Sequence, residues 1–200
     1  MKKKILIIIT IIIAIIIIGI GYFIVQDFKQ EEKLKNELEE TSNIVNVENN
    51  NNNTVNKSFG SYEVPENWVE SKEHSTNSKF FYVLEGQEQE AQPNNISINS
   101  GTNKYAETEH EKFKTAILNQ LSMQIAGKED IEIKANGSDT NNGYIVYTFI
   151  IKETTDNITT TQYYIVGDYK YILIHETVFG ESEETDDVAK SIVDSFKWKD

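Results

Sequence analysis

The hydrophobic positions fall into three regions with different patterns. Residues 5–25 form an apolar run of 21 residues without a charge. At a rise of 1.5 Å per residue, a helix of this length crosses about 30 Å of hydrocarbon. Residues 26–57 are polar and lack a sustained period, whereas short apolar runs alternate with turn residues from position 58 onward. The pattern predicts a membrane helix at 1–25, a linker at 26–57 and one folded domain at 58–200.

The flanks of the apolar run favour an uncleaved signal anchor. No small-residue cleavage site follows the run, which continues directly into Gln26 and Asp27. Lysines occur on both sides, so their number alone does not set the orientation. The compact cluster Lys2, Lys3 and Lys4 precedes the apolar run, and this order predicts a cytoplasmic N-terminus. We therefore expect a single-pass protein of the cell membrane with an extracellular C-terminal domain.

The segment between membrane and domain predicts a stalk followed by a tether. Residues 26–40 are charged and contain neither Gly nor Pro, which favours a solvated helical continuation. Residues 41–57 include the run Asn49 to Asn53 and show no apolar periodicity. Seventeen flexible residues reach about 20 to 25 Å. The domain is therefore expected to hang near the membrane.

Two segments of the domain have the spacing of amphipathic helices. The first, residues 105–126, ends before Gly127, a residue suited to the left-handed position after a helix. Its apolar stripe comprises Phe113, Ala116, Ile117, Leu121 and Ile125. The second helix is expected to start within residues 182–185 and carry acidic residues at its positive N-terminal end. Its predicted buried side comprises Val188, Ala189, Ile192, Val193 and Phe196.

The remaining apolar segments predict strands. They lie at residues 58–64, 79–85, 95–99, 131–135, 144–152, 159–166 and 169–178. Both faces of 144–152 are apolar, so this strand is expected to be central and covered on both sides. Gly167-Asp168 predicts a two-residue hairpin turn between the last two strands. The order of elements predicts an α+β domain with helices packed on a largely antiparallel sheet.

No residue pattern predicts a catalytic or metal site. Cysteine is absent, which excludes thiol chemistry and Cys-ligated zinc. Glu107 and His110 have helical metal-ligand spacing, but only one such pair is present. His175 is interpreted as a core or rim histidine of a strand. We therefore assign no catalytic, cofactor-binding or metal-binding residue, and no cofactor.

Two polar segments have simpler structural interpretations than calcium binding. Residues 139–143, DTNNG, lack the Gly and Glu that an EF-hand requires farther along the loop, and are expected to form a turn. The acidic segment 181–187 is expected to cap the last helix, with weak calcium binding as its alternative. Trp68 and the Tyr-rich strands are expected to lie mainly in the core, with an aromatic binding surface as the alternative.

The charge of the domain restricts its partners. Residues 58–200 contain 12 Lys and 25 acidic residues, a net charge of −13. Such a surface repels nucleic acid and anionic polymers, and it accommodates neutral or cationic partners. We therefore expect no nucleic-acid binding.

Both ends of the domain resemble those of Mog1/PsbP-like domains. Residues 59–68, FGSYEVPENW, are similar to the family's opening strand with its Pro and Trp. Gly167-Asp168 between two strands, followed by a helix that ends SIVDSF at 191–196, is similar to its closing segment. The resemblance covers residues 58–200 and implies a three-layer αβα sandwich around an antiparallel sheet of about six or seven strands.

The resemblance implies a binding role. Members include a regulator of a nuclear-transport GTPase, extrinsic subunits of photosystem II and many bacterial membrane-attached proteins, and most are non-catalytic. Their partner-binding residues have no match here, so those specific functions are not carried over. The leading hypothesis is a membrane-anchored extracytoplasmic binding or accessory module with an envelope protein as partner. The alternatives are an envelope enzyme or metal-dependent hydrolase, and a membrane-tethered sensor or stress-response component.

Overall fold

The computed structural model describes residues 53–199, which contain ten strands and two α-helices. The helices are α1 (His110–Ile125) and α2 (Glu183–Ser195). The strands are β1 (Thr54–Lys57), β2 (Gly60–Glu63), β3 (Trp68–Glu70), β4 (Lys79–Leu84), β5 (Asn95–Thr102), β6 (Ile131–Asp139), β7 (Ile145–Glu153), β8 (Ile158–Gly167), β9 (Lys170–Phe179) and β10 (Lys197–Trp198).

The predicted membrane helix, the stalk and most of the linker lie outside the described residues. Within residues 53–199, neither helix has the length and apolar content needed to span a bilayer.

Seven strands form one antiparallel sheet in the order β3-β4-β5-β9-β8-β7-β6. A second, three-stranded sheet has the order β1-β2-β10 and is also antiparallel. The predicted largely antiparallel sheet of about six or seven strands is confirmed, as is the α+β class.

The centre of the seven-stranded sheet is apolar on both faces. Along β9, Tyr171 and Leu173 belong to one buried cluster, whereas Ile172 and Ile174 belong to another. Helix α1 contributes Phe113 and Leu121 to the first cluster. Helix α2 contributes all of its buried apolar residues to the second: Val188, Ala189, Ile192 and Val193. Because neighbouring residues of a strand point to opposite faces, α1 and α2 cover opposite sides of the sheet.

Both helices form close to where the apolar spacing predicts them. The hydroxyl of Ser182 accepts a hydrogen bond from the backbone N–H of Thr185 at 3.2 Å and caps α2. All five residues of its predicted buried side are buried. Helix α1 starts later than predicted, because Glu107–Glu109 form a 3₁₀ turn. Gly127 follows α1 with φ of +82°, as its position predicts.

The prediction that residues 144–152 form the central strand is wrong in position and correct in burial. The corresponding strand, β7, lies second from one edge, and β9 takes the centre. Ile145, Tyr147, Phe149 and Ile151 nevertheless all contact the cluster beneath α1, whereas Val146 lies in the cluster beneath α2. A strand can therefore be buried on both faces without lying at the centre of the sheet, provided that it has a neighbouring strand on each side.

The hairpin between β8 and β9 is confirmed, but its turn is one residue later than predicted. Gly167 pairs with Lys170, so the two loop residues are Asp168 and Tyr169. Tyr169, with φ of +55°, adopts the left-handed conformation. Gly167 serves packing instead: a Cβ there would lie 3.1 Å from the ring of Trp198.

The predicted linker extends too far into the domain. Thr54–Lys57, assigned to the linker, form β1 and pair with β2 in register, Thr54 opposite Glu63 and Lys57 opposite Gly60. The strand has one apolar residue, Val55, which packs against the cluster beneath α2. A single apolar residue shows no period, so it gives no signal for a strand. The short strands β3 and β10 also escape prediction, because each has too few residues to show a period.

Phe149 provides a test of the packing beneath α1. Its side chain is fully buried and its ring packs edge-on against Tyr164 at 5.8 Å. Phe149→Ala should lower the free energy of unfolding by roughly 3 to 5 kcal/mol, through lost burial and the cavity that remains. Urea unfolding of the compact unit Asn51–Asp200 measures this.

Thr148→Ala is the matched control, since Thr148 precedes Phe149 on β7 and is only half-buried. It should change stability by less than about 1 kcal/mol. A similarly small loss for Phe149→Ala would contradict the assigned packing.

Candidate functional site

The three histidines lie in separate parts of the domain. His74 is exposed, its Nδ1 lies 2.9 Å from the hydroxyl of Ser71, and its ring packs against Phe81. His110 begins α1, and His175 lies on β9. Among residues 53–199, no group of three or more His, Asp or Glu side chains is arranged to hold a metal ion.

His110 takes part in a hydrogen-bond network that joins α1 to β7. The hydroxyl of Tyr147 donates to Oε1 of Glu111 at 2.7 Å and lies 2.6 Å from Nδ1 of His110. Since the phenol has one proton and gives it to Glu111, Nδ1 must carry a proton and donate to the phenol oxygen. Burial, followed by Glu111, raises the pKa of Tyr147, so the phenol stays neutral. The network orients His110 and fixes the start of α1. It does not include Glu107, whose backbone N–H donates to Oδ1 of Asp168 at 3.2 Å.

His175 and Glu176 are adjacent on β9 and therefore face opposite sides of the sheet. His175 shares the α1 face with Tyr171 and Leu173, as predicted. Burial lowers its pKa to about 4, and the ammonium of Lys79 acts in the same direction. The ring is therefore neutral at pH 7, as expected for a core or rim histidine.

Glu176 is the most unusual titratable residue among those described. It is fully buried on the α2 face, between Ile96 of β5 and Thr161 of β8 in the strand register. Its Oε2 lies 3.5 Å from the hydroxyl of Tyr163, and its Oε1 has no hydrogen-bond partner. Burial raises its pKa to about 8, and the carboxylate of Asp186 on α2 acts in the same direction. Glu176 is therefore mainly protonated at neutral pH.

Residues 140–143 form the predicted turn, whereas Asp139, which was expected to belong to it, is the last residue of β6. The hydroxyl of Thr140 accepts from the N–H of Tyr144 at 3.1 Å, and Gly143 has φ of +80°. The side-chain amide of Asn142 donates to the carbonyl of Phe196 at 2.8 Å, which attaches the turn to the end of α2. These polar groups are thus used within the fold.

The acidic segment at residues 181–187 lies at the start of α2, as predicted. Glu183, Glu184 and Asp186 occupy the first turn, where the helix dipole favours negative charge. One of them also makes a tertiary contact, since Oε1 of Glu184 accepts from the side-chain amide of Asn67 at 3.0 Å. Capping and this contact account for the segment without a bound ion.

The aromatic residues considered for a binding surface are mostly core residues. Trp68 is buried in the cluster beneath α2. The hydroxyls of Tyr62 and Tyr82 in the same cluster lie 2.8 Å apart. Tyr169 is the exception, because it is exposed at the β8–β9 turn.

A groove beside α2 is the candidate surface for a partner. Helix α2 packs against β2, β5 and β9 but leaves the outer part of β6 and β7 uncovered on its face. Two adjoining hollows, of about 350 and 420 Å³, lie along the exposed side of the helix and share Asp194. We call them together the α2 groove.

The first hollow of the α2 groove exposes mainly apolar surface, whereas the second exposes mainly polar surface. The first hollow is lined by Asn136, Ser138, Asp139, Val146, Thr148, Ile150, Tyr163, Lys190, Val193 and Asp194. The second is lined by Glu63, Asn141, Asn142, Ser191, Asp194, Ser195 and Lys197. Tyr163 joins the floor of the groove to the buried Glu176. Hydroxyl, amide and carboxylate groups of this kind suit recognition of a polar backbone and cationic side chains.

Sequence reasoning missed both the α2 groove and Glu176. The groove depends on how far α2 extends across the sheet, which no local pattern encodes. Glu176 did have a signal, since it is the single charged residue among the α2-facing positions Ile172, Ile174, Glu176 and Val178. A lone acid on an apolar strand face is a candidate for an altered pKa.

Comparisons with known proteins do not assign the domain to a family. No family model and no curated protein matches the sequence. A crystal structure from Bacteroides thetaiotaomicron is similar over 71% of this chain and 46% of that chain, at 11% identity and a TM-score of 0.43. This chain thus spans less than half of that protein. At this level the similarity supports no conclusion about fold family or function.

Glu176 predicts an unusual dependence of stability on pH. The native state retains a proton up to about pH 8, whereas the unfolded chain releases it near 4.5. Stability should therefore decrease as pH rises between these values, by about 1.4 kcal/mol per pH unit where the proton difference is complete. Glu176→Gln should remove this pH-dependent loss of stability, because glutamine does not ionise. The free energy of unfolding of the variant, minus that of the native sequence, should therefore increase from pH 5 to pH 8. Urea unfolding of residues 51–200 across this range measures the difference.

Asp186→Asn is the control, because it removes one neighbouring carboxylate and leaves Glu176 titratable. It should reduce the pH dependence without abolishing it. A stability difference between Glu176→Gln and the native sequence that stays constant from pH 5 to pH 8 would contradict the raised pKa.

Proposed function

We propose that this protein is a membrane-anchored, non-catalytic binding module that presents an extracytoplasmic domain to an envelope protein. In this proposal the domain is a PsbP-like, three-layer αβα sandwich, held outside the membrane by the helix of residues 1–25. The observation that carries the proposal is the α2 groove, which is open and has a mainly apolar hollow beside a mainly polar one. A small-molecule site is typically a more enclosed and apolar cavity with a few converging polar groups.

The chemistry of the groove favours an extended polypeptide as its occupant. Asn136, Ser138 and Asn141 offer side-chain donors and acceptors along one wall. Glu63, Asp139 and Asp194 provide carboxylates that can pair with Lys or Arg of a partner. Lys190 and Lys197 also line the groove, so its three acids and two lysines leave a net charge of −1. The net charge of −13 over residues 58–200 would also speed the approach of a cationic segment. The proposed partner is thus an envelope protein with an exposed basic segment.

The anchor is tested by membrane topology. The protein should remain in the membrane fraction at full length, and protease added to intact, wall-stripped cells should remove a C-terminal tag. Edman sequencing of the purified protein should show no mature N-terminus near Gln26. A protected tag or a cleaved N-terminus would refute the proposed anchoring.

The groove is tested by capture of partners from detergent-solubilised membranes with the full-length protein. Asp194→Lys reverses the charge shared by both hollows and should reduce recovery of the specific partner by about tenfold or more. Glu73→Lys is the matched control, because it makes the same charge change at an exposed position outside the groove lining. Quantitative mass spectrometry compares the captured proteins. Equal recovery with both variants would rule out the groove as the binding surface, even if the membrane anchor is confirmed.

A further inference from the structure

The outer edge of β6 is a long row of backbone groups that no other described strand pairs with. Strand β6 has nine residues, Ile131–Asp139, and lies at the end of the seven-stranded sheet. Its register with β7 is continuous, so no bulge twists the edge away. It contains no Pro, and its three charged residues, Glu132, Lys134 and Asp139, are all exposed. A long, regular edge of this kind is a template for pairing with another strand.

The opposite edge of the same sheet is formed by a much shorter strand. Strand β3 has only three residues, Trp68–Glu70. A short edge strand offers few unpaired groups, which is one of the ways in which proteins prevent edge-to-edge association. The sheet is thus protected at one end and open at the other.

The sequence of β6 is self-complementary in one antiparallel register. When two copies pair about Ile133, Glu132 of each copy lies opposite Lys134 of the other, which forms two ion pairs. Ile131 lies opposite Ala135, and Ile133 lies opposite its own equivalent. Pairing about Lys134 or about Glu132 would instead place like charges opposite each other, which is destabilising. A register about Ala135 would pair all nine residues of β6 without repulsion, but it places Lys134 opposite Asn136 and Glu132 opposite Ser138 and forms no ion pair. Charge therefore favours the register centred on Ile133, which forms two.

The side chains on the two faces of β6 agree with this register. Glu132 and Lys134 are exposed, whereas Ile131, Ile133 and Ala135 are half-buried on the α1 face. Partial burial leaves apolar surface that a neighbouring strand would cover. Helix α1 packs over β6 and β7 and carries Met123, which is 78% exposed. A second copy would extend the apolar layer beneath α1 across the shared edge.

We infer that β6 is a homodimerisation edge, at which two copies of this chain pair antiparallel about Ile133 and form a continuous fourteen-stranded sheet. A ladder centred on residues 131–135 is smaller than the roughly 1,000 Å² that a stable complex buries. The dimer is therefore in exchange with the monomer. This inference does not depend on the α2 groove or on its partner.

The chain lacks cysteine, so one introduced thiol tests the register directly. In the purified full-length protein, Ile133→Cys should form an intermolecular disulfide on mild oxidation. Residues directly opposite in an antiparallel pair have Cα atoms about 4.5 to 5.5 Å apart, within the range that a disulfide bridges. Ser138→Cys is the matched control on the same strand. Its two copies would lie about 33 Å apart and should not cross-link.

The ion pairs are tested by exchanging the charges. Lys134→Glu should reduce dimer formation roughly tenfold, because both cross-strand pairs become repulsive. In its own sheet Lys134 lies opposite Ile150, so this change breaks no charge pair across that register. Glu132 lies opposite Lys152 of β7, so the rescue variant also reverses that charge. The triple variant Glu132→Lys, Lys134→Glu and Lys152→Glu should restore the dimer. Both can be measured on the Ile133→Cys background by the rate of disulfide formation.

A zero-length carbodiimide cross-link tests the native sequence without substitution at position 133. A mixture of light and ¹⁵N-labelled chains should give a mixed-isotope link between Glu132 and Lys134. Cross-linking of Ser138→Cys at the rate of Ile133→Cys would indicate association through another part of the chain and would overturn the inference. Absence of the mixed-isotope link, or no effect of Lys134→Glu, would also overturn it.

Discussion

The fold depends on a central strand that must be apolar on both faces. Strand β9 lies in the middle of the seven-stranded sheet, with β5 and β8 as its neighbours. Alternate residues of β9 enter different clusters, so each helix has its own core to cover. A strand with one polar face could support only one of the two layers. The positions of α1 and α2 therefore both follow from the composition of β9.

The same two-sided arrangement explains why the surface features lie where they do. Neither helix is wide enough to cover seven strands, so each leaves part of its face open. On the α2 face the uncovered part is the outer end of β6 and β7, and this produces the α2 groove. Glu176 lies at the inner boundary of that region and contacts the floor of the groove through Tyr163. Its protonation is favoured because ionisation would place an unpaired charge inside the α2 core.

The sequence predicts the parts of this fold that depend on local periodicity. The buried face of α2 is fully predicted, because five apolar residues recur at helical spacing and Ser182 supplies a recognisable cap. The alternation in β7 also assigns each side chain to the correct face. Strand order is a different problem: an interior strand and a central strand have the same two-sided pattern, so β7 and β9 could not be distinguished. β1 escapes prediction because it has four residues and only one of them, Val55, is apolar.

The candidate site is less predictable than the fold, because it consists of residues brought together by tertiary packing. Glu63, Asp139 and Asp194 are distant in sequence and meet only where β2, the β6–β7 turn and α2 adjoin. Glu63 also lies opposite Thr54, the first residue of β1, so one end of the groove is beside the point where the chain enters the domain.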